Sequence, residues 1–195
     1  ASKEPIMEII KDQSKTGKPV IGICNGAQVL VETALVPNIN NRIEMALANN
    51  NYGYRCMWIN VICEQEKSRT AFTGLFEKGT IISMPIAHGE GRFTTKDSKI
   101  FKEMIEEKQI VFRYCDKEGK IKENYPINPN GAMYNIAGIC NKKGNVMAMM
   151  PHPERGSWKR QLPYFESKNF EESEETTIAH KVFQSMKNYI EDKII

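Results

Sequence analysis

Apolar residues recur with two periods along this chain. Ile6, Ile9 and Ile10 fall at i, i+3 and i+4 behind Pro5, a residue suited to a first helical position, and Gly17 can cap the end, so Pro5 to Lys15 reads as a helix. Val20 to Ile23 is a short β-branched run, and Ala27 to Ala34 returns to helical spacing, which makes strand, sharp turn, helix. Cys56 to Cys63, Thr80 to Ala87 and Gln109 to Cys115 read as strands, and Ser98 to Lys108 as an amphipathic helix. "CDKEGK" reads as a turn. Two further strand-like runs, "MYNIAGIC" and "NVMAMM", are joined by Asn141-Lys142-Lys143-Gly144, a connection that suits a hairpin. The second runs straight into "PHPERG". The acidic run "ESKNFEESEETT" reads as a solvated loop, and Thr177 to Asp192 as a closing amphipathic helix. Helices mixed with strands favour an α/β fold, a mainly parallel sheet flanked by helices with an antiparallel portion.

No repeat, low-complexity tract or linker divides the 195 residues, so residues 1–195 read as one domain. Only one helix precedes the first strand, so the chain is expected to begin inside its domain. No apolar run reaches bilayer length, and "ASKEPIMEII" lacks signal-peptide order, which makes no membrane and a cytoplasmic home the expectation. A formal charge of +3 with both signs interspersed implies no nucleic-acid partner. Five cysteines, an odd and widely spaced set without a C-x-x-C pair, read as reduced thiols and not as a metal site.

One thiol stands apart. Gly22-x-Cys24-x-Gly26, after a short apolar strand and before a helix, is the cysteine form of a nucleophile elbow, in which glycines allow a tight turn around a strained residue. The following helix turns its N-terminal amides toward the sulfur and favours thiolate, and the Asn25 N–H would face an oxyanion formed on attack. The competing reading is a buried cysteine ending a core strand. A base would decide between them. His180 lies within the last helical pattern and reads as structural, whereas His88 ("IAHGEGRF") and His152 ("PHPERG") each follow a strand and precede a Glu by two residues. In extended chain, i and i+2 project to one side, so each Glu could orient its own imidazole. On the residues alone the two pairs are equivalent.

"GKPVIGICNGAQVLVETAL", "IAHGEGRF" and "NPNGAMYNIAGICNKKGNVMAMMPHPERG" together resemble, in order and over essentially the whole chain, the glutaminase subunits of phosphoribosylformylglycinamidine synthases, class I glutamine amidotransferases of purine biosynthesis. The resemblance implies a flavodoxin-like amidotransferase fold. It also implies Cys24 as nucleophile, His152 as base and acid, Glu154 as its orienter, and Asn25, Gly26 and Gln28 as substrate-binding or oxyanion residues. His88, Glu90 and Arg92 would belong to a family-specific loop at the glutamine pocket or a partner interface, or to a turn held by an Arg–Glu contact. Asn128 to Gly131 is a good turn without any chemistry.

The implied substrate is glutamine, and the implied partners are a large ATP-using synthetase and, in many organisms, a small third subunit. ATP and magnesium would sit on the synthetase, with no cofactor on this chain. Two departures stand out: Ala132 replaces the usual Ser after N-P-N-G, and the family's first strands and Gly-rich oxyanion loop have no counterpart here. Another class I amidotransferase, a cysteine-peptidase-like relative and an inactive interaction subunit are the alternative readings.

Overall fold

The computed structural model describes residues 5–163 and 170–193. In chain order it comprises α1 (Pro5–Lys15), β1 (Val20–Ile23), α2 (Asn25–Glu32), β2 (Ala46–Asn49), β3 (Arg55–Cys63), β4 (Ile81–His88), β5 (Glu90–Thr94), α3 (Ser98–Glu106), β6 (Ile110–Cys115), β7 (Ile136–Cys140), β8 (Val146–Met149), α4 (Phe170–Ser173) and α5 (Lys181–Lys193). Six strands form one sheet in the order β1-β8-β7-β6-β3-β4, and β2 and β5 form a separate antiparallel ribbon.

The α/β expectation holds, with the balance of strand directions shifted. Among the described strands only β1 and β8 pair in parallel, and every other neighbour pair is antiparallel. The Asn141–Gly144 connection explains part of this: Gly144 N–H donates to Asn141 O at 3.0 Å, and so tight a reversal can only return the chain antiparallel. β7 and β8 are buried at every position, as their unbroken apolar sequences require in the middle of a covered sheet, and Phe112, Tyr114, Ile82, Met84 and Phe76 fill the core beside them. β1 is only half-buried, because its outer edge has no strand partner among the described residues.

Two readings are corrected by detail. α1 forms, but it turns Met7 and Ser14 inward and leaves Ile6 and Ile9 54% and 57% exposed. The acidic run is not wholly a loop. Residues 166–169 lie outside the described residues, but Phe170–Ser173 is a helical turn, Lys159 Nζ meets Glu175 Oε2 at 2.6 Å, and Arg160 pairs with Glu174. Ion pairing with that basic segment gives the acidic residues a partner other than water.

The sheet's curl places the site. In a flat sheet five strand spacings of ~4.8 Å would hold β1 and β4 roughly 24 Å apart. Yet the Cys24 sulfur, one residue past β1, lies 3.8 Å from Ala87 O of β4, and His152 N–H donates to Pro85 O of β4 at 2.8 Å. The sheet therefore coils until its two ends meet. β1, β8 and β4 all run the same way, so Cys24, His152 and His88 emerge together at their carboxyl ends, where open α/β sheets place their ligands.

Candidate active site

The elbow is built as its glycine spacing predicts, but by one glycine. Cys24 has φ 52° and ψ −107°, a conformation that non-glycine residues rarely adopt. It is held at both ends: its N–H continues the β1–β8 ladder to Met149 O at 2.9 Å, and its carbonyl accepts from Ala27 N–H at 3.0 Å to start α2. A Cβ on Gly22 would lie 2.5 Å from Gly26 O and 2.6 Å from Leu30 Cδ1, so only glycine lets α2 pack this closely on β1. A Cβ on Gly26 would meet nothing within 4 Å.

His152 reaches Cys24 from the neighbouring strand. Its ring is buried, and its Nδ1 lies 2.5 Å from Glu154 Oε1. The i, i+2 spacing implies extended chain; instead Pro153–Arg155 is a 3₁₀ turn, and Glu154 folds back on its own histidine. That contact requires Nδ1–H and leaves Nε2 for the thiol. Nε2 makes no other hydrogen bond among the described residues, and its interaction with the sulfur is the leading influence on both groups. The His152 imidazole is the largest influence on the Cys24 thiol and lowers it below the ordinary thiol value, against partial burial and with help from the Asn25 N–H. Conversely Cys24, and after it Glu154, raise His152 to about 9 against burial. Burial is the largest influence on the Glu154 carboxyl and pushes it upward, but hydrogen bonds from His152 and the backbone and the charges of His152 and Arg155 together hold the group below its ordinary value. The arrangement favours a thiolate–imidazolium pair near neutral pH.

Iodoacetamide should therefore alkylate Cys24 with a pH midpoint below the ordinary thiol value of 9.0, and His152→Ala should move that midpoint upward. Cys63, Cys115 and Cys140 should stay silent, because they are buried and their thiols are pushed up to about 11, 12 and 12. Exposed Cys56 provides the comparison within the same digest. A midpoint unmoved by His152→Ala would exclude the pairing.

Asn25 and Gln28 form the rim. Asn25 Nδ2 donates to Gln28 Oε1 at 3.0 Å, and Gln28 Nε2 donates to Glu90 O at 2.8 Å, tying the first turn of α2 to the start of β5. The segment around His88 is no loop: His88 ends β4, while Glu90 and Arg92 lie in β5. Glu90 does not hold His88 as Glu154 holds His152; His88 Nδ1 instead faces Asn50 Oδ1 at 3.2 Å. Nor does an Arg92–Glu90 ion pair form among the described residues, and Arg92 Nε donates to Asn49 O at 2.9 Å within the ribbon. Burial, and secondarily His152, depress His88 to about 4, so it is neutral.

The N-P-N-G segment turns the chain through its own asparagines. Asn128 Oδ1 accepts from Gly131 and Ala132 N–H at 2.9 and 3.1 Å, and Asn130 Nδ2 reaches Gly91 O at 2.8 Å. Asn50 was not legible as a site residue, because "NNNYGYR" carries only the composition of a solvated turn. Among the described residues no three His, Cys, Asp or Glu side chains gather as a metal site would require, and no helix is long and apolar enough to cross a membrane.

A strained cysteine elbow beside a carboxylate-backed histidine, at the carboxyl ends of an α/β sheet, has the arrangement of a cysteine-dependent acyl-transfer site. The chain belongs to the CobB/CobQ-like glutamine amidotransferase domain family, whose sequence model matches residues 3–190. It is 41% identical over 202 residues to phosphoribosylformylglycinamidine synthase subunit PurQ of Methanothrix thermoacetophila, a match covering 99% of this chain and 75% of that protein. Against the subunit of the same name from Aquifex aeolicus it is 46% identical over 157 residues, covering 80% of this chain and 64% of that one. Among solved structures it is similar to a chain in the structure of PurLQS from Thermotoga maritima, with TM-score 0.68 and 34% identity, covering 97% of this chain and 70% of that chain. The matched segment thus spans 64–75% of the length of these relatives.

Proposed function

We propose that this chain hydrolyses glutamine through Cys24, His152 and Glu154 and supplies the ammonia to a synthetase partner that converts formylglycinamide ribonucleotide to the amidine with ATP. The observation that carries the reading is the Cys24–His152–Glu154 chain itself, with the thiol lowered and the imidazole raised by each other. The Cys24 thiolate attacks the carboxamide carbon of glutamine, and the new oxyanion faces the Asn25 N–H. As the tetrahedral intermediate collapses, imidazolium Nε2–H gives its proton to the departing nitrogen, which leaves as ammonia. The glutamyl thioester then takes up a water whose proton passes to His152, and glutamate leaves as the thiolate re-forms. Glu154 keeps the ring oriented with Nδ1–H toward its carboxylate and stabilises its charge.

The partner reading rests on the relatives' name and on the multisubunit complex in which the similar structure was solved. ATP and magnesium belong on the synthetase, and a small third subunit completes the assembly. The test is glutamine turnover by the chain alone and with the synthetase, ATP and formylglycinamide ribonucleotide. Turnover should rise at least tenfold with the partner; equal rates would refute the coupling.

A further inference from the structure

Asn50 ties the turn that carries His88 to its own turn by hydrogen bonds. Its N–H donates to Gly89 O at 2.8 Å, its Nδ2 to His88 O at 2.8 Å and Gly53 O at 3.0 Å, and its Oδ1 accepts from Gly91 N–H at 3.1 Å. These partners fix the amide, because two carbonyls can be met only by the NH₂ and a backbone N–H only by the oxygen. The His88 nitrogen 3.2 Å from that oxygen must then be a donor, so Nδ1 carries the proton. A neutral imidazole has one N–H, and Nε2 is left with a lone pair.

That nitrogen is buried, on a residue 4% exposed, and has no partner. Leaving such a group unpaired is costly unless something occupies it in the working protein. Gly91 lies against the other edge of the ring: a Cβ there would lie 2.4 Å from both Cε1 and Nδ1, so only glycine lets the backbone come this close. The free edge faces away from Asn50 and Gly91. The preceding residue, Ala87, touches the Cys24 sulfur through its carbonyl, and the His88 ring is within electrostatic reach of His152.

We propose that Asn50 is a positioning residue that holds His88 as the Nδ1–H tautomer, so that His88 Nε2 accepts a hydrogen bond from an N–H group of the glutamine bound at Cys24. This rests on the glutaminase reading. It gives the second His-x-Glu motif a task distinct from that of the first. His152 moves protons and must be basic; His88 only accepts a bond and must stay neutral, which its burial ensures.

The tautomer is tested by long-range proton–nitrogen NMR of chain labelled with ¹⁵N-histidine, the His88 signals being those lost in His88→Gln. A protonated Nδ1 and a bare Nε2 are expected, and the reverse pattern would overturn the proposal. Glutamine added to Cys24→Ala, which cannot consume it, should shift the His88 Nε2 signal.

In the assembled synthase, His88→Asn keeps a donor for Asn50 but lacks the distal acceptor, and should raise KM for glutamine roughly ten- to a hundredfold with a smaller change in kcat. His88→Gln, whose amide oxygen reaches the Nε2 position, should recover most of the loss. Wild-type turnover separates the two ideas. Without it the glutaminase reading fails and takes this one with it; with it, an unmoved KM in His88→Asn overturns this proposal alone.

Discussion

Cys24→Ala should abolish glutamine-dependent turnover, by about 10⁴-fold or more, because the covalent route has no other entrance. Cys63, Cys115 and Cys140 are buried with raised thiols, and exposed Cys56 lies on β3, outside the elbow. Synthesis driven by added ammonia should survive in the assembled synthase, since the variant leaves the partner untouched. A glutamine-like diazo-ketone should label wild type at Cys24, be excluded by glutamine, and leave the variant unmodified when its peptides are mapped by mass. Uniform labelling of several cysteines, or ammonia-driven synthesis lost together with glutamine-driven synthesis, would contradict the assignment.

Gly22→Ala should be the most damaging methyl group that can be added to the elbow. The new Cβ would sit 2.5 Å from a backbone oxygen and 2.6 Å from Leu30 Cδ1, and backbone cannot step aside as a side-chain tip can. Separating α2 from β1 should cost about 3 kcal/mol or more and remove the enhanced reactivity of Cys24. Gly26→Ala is the control: with open space at its Cβ and a helical backbone, it should change stability by less than about 1 kcal/mol. Thermal denaturation of the pair decides the matter, and equal melting temperatures would mean that the elbow does not depend on the Gly22 contact.

The contrast shows what the sequence could express. Two glycines flanking Cys24 announced an elbow, but not that one glycine is a packing requirement and the other is not, because the contact with Leu30 exists only after α2 has docked. Long periodic or uniformly apolar segments such as β3, α3 and β8 were legible within a residue or two, whereas β7 begins three residues later than "MYNIAGIC" suggests because Met133–Asn135 is a 3₁₀ turn. The β2–β5 ribbon was not legible. β2 has four residues, its burial follows no alternation, and its register slips between Ala48 and Asn49, so local pattern carried no strand signal and only distant pairing made one.

The tie between the two His-x-Glu pairs could not be broken from spacing. Both histidines leave strands at the same end of the sheet, and what separates them is a tight 3₁₀ turn after His152 and Asn50 beside His88. Strand direction was equally out of reach, since the chain contains both the short hairpin that forces antiparallel pairing and the elbow that suits parallel neighbours.

The coiling of the sheet closes it like a clasp, bringing the opposite margin of the same surface against the catalytic group. Cys24 belongs to the first strand in spatial order, and the carbonyls that meet Cys24 and His152 belong to the last. A few degrees of added or lost twist at each strand pairing therefore accumulates across the whole sheet and is delivered to the contacts that Cys24 and His152 make with the carbonyls of β4. A protein that gripped β4 from outside would hold one half of that clasp, and could open or close it without touching the cysteine.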